Sequence, residues 1–237
     1  MRSALEGHTD SGARDRDLTT RARVRDAAIT VFGEQGFGTG VRAVAAAAGV
    51  SPGLVNHHFG SKDGLREACD EHVLALIRAA KTEALTRPSA TGLLQQLADV
   101  EEYAPLVAYL VRSYQAGGEL AQHLFEHIVV TTEQYLSDGV AAGTLRPSRD
   151  PAARARYLAM QSLGSTLLFL QMRGERGGPV DWGRAIRELT DGIMLPALEL
   201  YTEGLFTDST FLDAVVDQRA GTEGDTTHHY SDHRENR

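Results

Sequence analysis

The sequence predicts an all-α protein: an N-terminal three-helix module of the helix-turn-helix kind, then a larger bundle of long helices. Three observations carry this. Apolar residues recur at helical spacing over most of the chain, and no stretch alternates with the period of a strand. Two very short helical segments are joined by Gly49-Val50-Ser51, the chemistry of a helix-turn-helix turn. The breaks between the later, longer segments fall on glycine and proline.

The elements follow in order. A first helix is expected over 19–35, with Val24, Ala27, Ala28, Val31 and Phe32 on one face and Gly36 as its stop. A second covers 41–48, with Val41, Val44, Ala45 and Ala48 as its stripe. Ser51 caps a third and Pro52 opens it, and it runs to His58. Ser61 caps a fourth helix to Leu85, with Leu65, Cys69, His72, Val73, Leu76 and Ala80 on its core face. Further helices are expected over 91–101, 104–115, 119–141, 150–173, 182–204 and 209–217, separated at Gly117-Gly118, Gly143 to Pro147, Gly174 to Pro179 and Gly204. Helix 150–173 is apolar or small nearly all round after Arg156, which predicts enclosure by other helices or by a partner chain. The ends, 1–17 and 218–237, lack periodicity and apolar residues and are expected to be disordered tails.

Composition narrows the function. The chain has 237 residues, 42% hydrophobic and 24% charged, which excludes disorder throughout and fibrous repeats. One cysteine, Cys69, excludes an intrachain disulfide and an all-cysteine metal site and fits a reducing compartment. The first residues, MRSALEGHTDSGARDRD, do not read as a secretory leader. The least charged stretch, Tyr157 to Met172, is too short and too polar to span a membrane. The expectation is a cytoplasmic protein. Net charge is −8, but residues 14–66 carry eight Lys/Arg against five Asp/Glu, so a basic N-terminal part sits on an acidic body. That distribution suits one anion-facing surface.

The helix-turn-helix reading assigns that surface. Ala45 lets the two helices approach, Gly49 takes a left-handed turn, and Val55 anchors the third helix to the core. The remainder of that helix is then available to a DNA major groove. The stretch from Arg21 to Leu65 resembles the DNA-binding domain of the tetracycline-repressor (TetR) family. It does so through Ala27-Ala28, Phe32, Gly36-Phe37, Ala45, Ala48-Gly49-Val50-Ser51, His58-Phe59, Ser61-Lys62 and Leu65. The resemblance implies a homodimeric transcription factor, usually a repressor, with a C-terminal bundle that binds a small molecule. It implies a DNA-binding domain over 18–62 and a ligand-binding and dimerisation domain over 63–217. The dimer contacts fall to the last long helices, 150–173 and 182–204.

By the same resemblance, Gly53, Leu54, Asn56 and His57 face the groove, while Thr39, Arg42, His58, Ser61 and Lys62 are candidate backbone contacts. Asn56 stands where most family members carry Tyr, so it either holds a phosphate or reads adenine through its amide. Leu54 offers apolar contact, for instance to a thymine methyl. Arg14, Arg16, Arg21 and Arg23 form a candidate basic arm. Tyr103, Tyr109, Tyr114, Phe125, Tyr135 and Met160 are the large side chains expected to line an effector pocket, and the lining suggests a hydrophobic ligand. No cofactor is implied.

One rival pattern exists. His123-Leu124-Phe125-Glu126-His127 matches H-x-x-E-H, with two His one helical turn apart. It supports an alternative reading as a metal-binding helical protein or metallohydrolase, although the sequence supplies no clear third ligand. Cys69 lies among apolar positions and reads as a buried thiol.

Overall fold

A computed structural model describes residues 6–173 and 180–228. Over these the chain is helical, in the order α1 (Glu6–Gln35), α2 (Val41–Ala48), α3 (Pro52–Phe59), α4 (Lys62–Thr86), α5 (Ala90–Ala98), α6 (Ala104–Ala116), α7 (Gly118–Ala141), α8 (Pro151–Arg173), α9 (Trp182–Thr202) and α10 (Thr210–His228). A 3-10 turn at Val100–Tyr103 joins α5 to α6. The helix boundaries from α2 to α9 agree with the periodicity to within a few residues. The expected break at Gly174 to Pro179 lies outside the described residues.

The ends differ from expectation. Helix α1 starts at Glu6 and α10 continues to His228, where unstructured tails were expected. Neither extension contains proline, and each continues a helix already nucleated, which adds one hydrogen bond per residue fixed. Ala13, Arg14, Arg16 and Leu18 are also good helix formers.

The described chain separates into two compact units, one ending at Thr190 and one starting at Asp191. The first unit holds two apolar cores. In one, Val24, Ala28 and Phe32 of α1 meet Val44, Ala45 and Ala48 of α2, Val55 of α3, and Leu65, Cys69 and Val73 of α4, all buried. Tyr109 of α6 completes this core, with Leu106 and Leu110 packed beside it. The helix-turn-helix module is therefore not a free-standing unit: a helix of the bundle supplies part of its core. In the other core, Leu124, Ile128, Val129 and Leu136 of α7 pack on Ala155 and Ala159 of α8.

One stripe rotates from its expected position. On α4, Leu76 is exposed, while Leu74 packs on the second core and Ile77 on the first. Beyond Val73 the helix leaves α1 and packs along α7, which turns its buried face. Helix α8 is not enclosed within this chain. Ala155 and Ala159 are buried, but Tyr157, Met160, Leu168 and Met172 are exposed. In the second unit no described residue is buried, and Ile193, Leu195, Leu198 and Tyr201 of α9 stand exposed. Among the described residues no helix is long and apolar enough to cross a membrane.

Candidate nucleic-acid interface

The turn between α2 and α3 is built by three residues. Gly49 adopts φ 66°, ψ 37°, a left-handed conformation that costs a glycine nothing. It lets the amide of Val50 return to the carbonyl of Ala45 at 2.9 Å and close α2. Ser51 then accepts the amide of Leu54 on its Oγ, and Pro52 follows at the first helical position. Helix α3 is thereby fixed with Val55, 1% exposed, in the core.

The opposite side of α3 is open. Gly53, Asn56 and His57 are exposed, and Leu54 is half-buried at the edge. Arg42 of α2 is exposed, with no hydrogen bond or ion pair among the described residues. The amide end of α2 carries no side-chain cap at Gly40, so its first N–H groups are available to an anion.

The other expected contacts are occupied. His58 turns inward: its side chain is 3% exposed and its Nε2 lies 3.7 Å from Asp17 Oδ1 on α1. The reason is the helical period, which places residue 58 one turn after buried Val55. Ser61 caps α4 by accepting the amide of Gly64 at 3.0 Å. Thr39 donates its hydroxyl to the carbonyl of Gln35 at 3.5 Å. Lys62 donates its ammonium to the carbonyl of Phe37, in the loop that leads into α2, and lies 6.0 Å from the Phe32 ring centroid. Of the basic arm, Arg21 sits over the ring of Phe59 at 5.3 Å and Arg23 is exposed. The side chains of Arg14 and Arg16 lie outside the described residues.

Behind α3 lies a network that residue patterns did not reveal. The guanidinium of Arg66, 8% exposed, stands 4.0 Å from the Phe37 ring centroid. Phe37 stacks on Phe32 at 5.1 Å and meets Tyr109 edge-on at 5.4 Å. Tyr109 donates to Asp70 Oδ1 at 2.6 Å and lies 3.3 Å from the carbonyl of Arg66. Burial raises the pKa of the Tyr109 hydroxyl, and the Asp70 charge adds to the shift. Burial likewise pushes the Cys69 thiol up to about 12, so it remains protonated and inert, as its apolar setting predicts. At the start of α4, Gly64 meets the end of α3 so closely that a Cβ there would stand 2.3 Å from the Phe59 carbonyl oxygen. The glycine in the first turn of α4 was the sequence signal for that approach.

The six aromatic and methionine side chains expected in a pocket fall in three places. Tyr109 is core of the DNA-binding module. Tyr114, Phe125 and Tyr135 pack around the second core. Tyr103 and Met160 are exposed, 37% and 58%. His123 and His127 of α7 lie side by side with ring centroids 4.2 Å apart and the rings tilted by 53°. Glu126 between them is held by Arg156 in a bidentate pair at 3.0 and 2.6 Å, which also holds its carboxyl below the usual range. No group of three His, Cys, Asp or Glu able to hold a metal occurs among the described residues.

Known proteins resemble this chain over both its N-terminal and its C-terminal parts. The pattern of bacterial regulatory proteins of the tetR family fits residues 24–69, and that of tetracyclin repressor-like C-terminal domains fits 101–207. The transcriptional regulatory protein RaaS of Mycobacterium tuberculosis is 53% identical over 203 residues, covering 86% of this chain and 94% of that one. The transcriptional regulator BetI of Burkholderia thailandensis is 33% identical over 187 residues, 74% of this chain and 92% of its own. A solved structure, described as the molecular basis for control of antibiotic production by bacterial hormones, superposes with a TM-score of 0.53 at 25% identity. It covers 75% of this chain and 96% of that one.

Proposed function

Because this chain belongs to the TetR family of bacterial regulatory proteins, we propose that it is a dimeric repressor, released from a near-palindromic operator by a small apolar ligand. The family consists of DNA-binding transcriptional regulators, not enzymes. The observation that carries the finer reading is the division of α3: Val55 in the core, Gly53, Asn56 and His57 facing out. Residues 18–62 form the reading head and 63–217 the ligand-binding and dimerising body. Asn56 and His57 read base edges, Leu54 and Gly53 allow close approach, and Arg42 with the uncapped end of α2 holds phosphate. Thr39, Ser61 and Lys62 act one step back, by fixing the loop and helix ends around the reading helix.

The exposed apolar side chains of α8 and, separately, of α9 support dimerisation through these helices. Tyr114, Phe125 and Tyr135 remain candidates to meet the ligand. Helix α4 carries Lys62 and Arg66 at one end and packs along α7 further on, so a ligand in the body reaches the reading head through it. A 100-fold preference of ligand for the non-binding conformer corresponds to about 2.7 kcal/mol, an ordinary allosteric coupling. The protein acts in the cytoplasm, on a double-stranded DNA operator.

An electrophoretic shift with DNA from the promoter of its own gene tests this. Salt-dependent retention that survives excess random DNA is expected. Equal retention on random DNA, or none, counts against the reading.

A further inference from the structure

We propose that a cavity between α6, α8 and the start of α9 binds a small planar carboxylate, held by Arg112 and Arg173 beside the ring of Trp182. The cavity measures about 100 Å³ and is lined by Arg112, Gln115, Leu170, Gln171, Arg173, Val180 and Trp182.

The charges there are out of balance. Arg112 Nε donates to the carbonyl of Gly33 at 3.3 Å and Nη1 to Gln115 Oε1 at 3.3 Å, so both its partners are neutral. Its guanidinium lies 5.9 Å from the Trp182 ring centroid. Arg173 Nη1 is buried without a hydrogen bond, 3.4 Å from Glu188 Oε2. Glu188 is shared with Arg184, which donates to it at 2.7 Å. Arg173 and Arg184 share Glu188, and Asp181 also faces Arg184, accepting its amide at 3.0 Å, which leaves Arg112 as the cation held by neutral partners alone. A buried donor left unmade is costly, and a guanidinium fork matches a carboxylate in shape as well as charge.

The remaining walls define the rest of the ligand. Leu170, Val180 and the Trp182 ring offer apolar contact that sulfate or phosphate would waste, and a flat ring lies well against an indole. At about 100 Å³ the cavity is smaller than one of about 150 Å³ that admits benzene, so it takes a carboxylate and the near edge of a ring, with the rest of the ring outside. Benzoate is therefore the upper bound on the head group. Arg112 is also the strut from α6 to the Gly33 carbonyl on α1, so a carboxylate that recruits it weakens a contact to the reading head. This regulatory consequence rests on the ligand-responsive reading above; binding itself does not.

Trp182 is the only tryptophan in the chain, so its fluorescence reports on this cavity alone. Benzoate should change that fluorescence saturably. Benzamide, its neutral counterpart, should bind at least about tenfold more weakly, the loss expected when a charge-assisted pair is removed. Arg173→Gln and Arg112→Gln should each weaken benzoate by a similar factor. The benzamide comparison needs no variant, so the test stands even if a variant folds poorly. Equal binding of benzoate and benzamide, no saturable change, or full benzoate binding in both variants would overturn the site. DNA retention without benzoate is a separate measurement: its absence counts against the role of α3 and leaves the fluorescence result untouched.

Discussion

The hydroxyl of Tyr109 donates to the carboxylate of Asp70 at 2.6 Å and ties the bundle helix α6 to α4, the helix that begins beside the reading head. Tyr109 is fully buried in the same core as Phe32 and Val55. The DNA-binding module and the body are therefore joined by shared packing as well as by chain connectivity.

Removing that hydroxyl leaves a partly buried carboxylate without its donor. Tyr109→Phe should cost about 1–3 kcal/mol of stability, the range for an unpaired buried polar group. Urea unfolding at neutral pH measures it. A variant as stable as the parent would show that Asp70 is served by water instead.

Burial raises the pKa of Asp70 above the ordinary aspartate value, and the hydrogen bond from Tyr109 only partly offsets this. The folded state thus holds the proton more tightly than the unfolded chain. The stability this group contributes is full below its unfolded pKa and declines as pH rises through its folded one. Asp70→Asn removes the titration and keeps an acceptor. The variant should gain on the parent in unfolding free energy as pH is raised from about 4 toward neutrality. A constant difference across that range would contradict the burial argument.

Asn56 and His57 are the exposed hydrogen-bonding side chains of α3. Alanine at either should cost roughly 1–3 kcal/mol on the operator and much less on random DNA. Equal losses on both would move these residues to the backbone class. Fluorescence anisotropy with the two duplexes separates the outcomes.

Two cations near the head have different roles. Arg42 is exposed and unpaired among the described residues, whereas Lys62 gives its ammonium to the Phe37 carbonyl. Arg42→Ala should lower the slope of log affinity against log salt by about one. Lys62→Ala should leave that slope intact and instead lower the melting temperature, by releasing the loop before α2. A reduced slope for Lys62→Ala would place its ammonium on phosphate.

Much of this was legible in the sequence, because it rests on local chemistry. The turn at Gly49, the caps Ser51 and Ser61, and the anchor Val55 are each specified within a few residues. His58 shows where such reading stops: a polar residue beside Asn56 and His57 looks exposed until the helical period is followed from Val55. Arg66, Phe37, Tyr109 and Asp70 come from three separate parts of the chain, and no local pattern announces their meeting. The same holds for Arg112 and the Gly33 carbonyl. The aromatics expected in one pocket fall in three places for a related reason, since an aromatic on a helix carries the same signal whether it fills a core or lines a cavity.

The most direct test is selection of bound duplexes from a random DNA library, followed by sequencing. A dimeric reader of a near-palindrome should enrich one site whose half-sites lie about one helical repeat, roughly 34 Å, apart or a modest departure from it on deformed DNA. Asn56→Ala should relax the same position in both halves. Recovery of no preferred sequence, or of a single asymmetric half-site unaffected by Asn56→Ala, would contradict this reading.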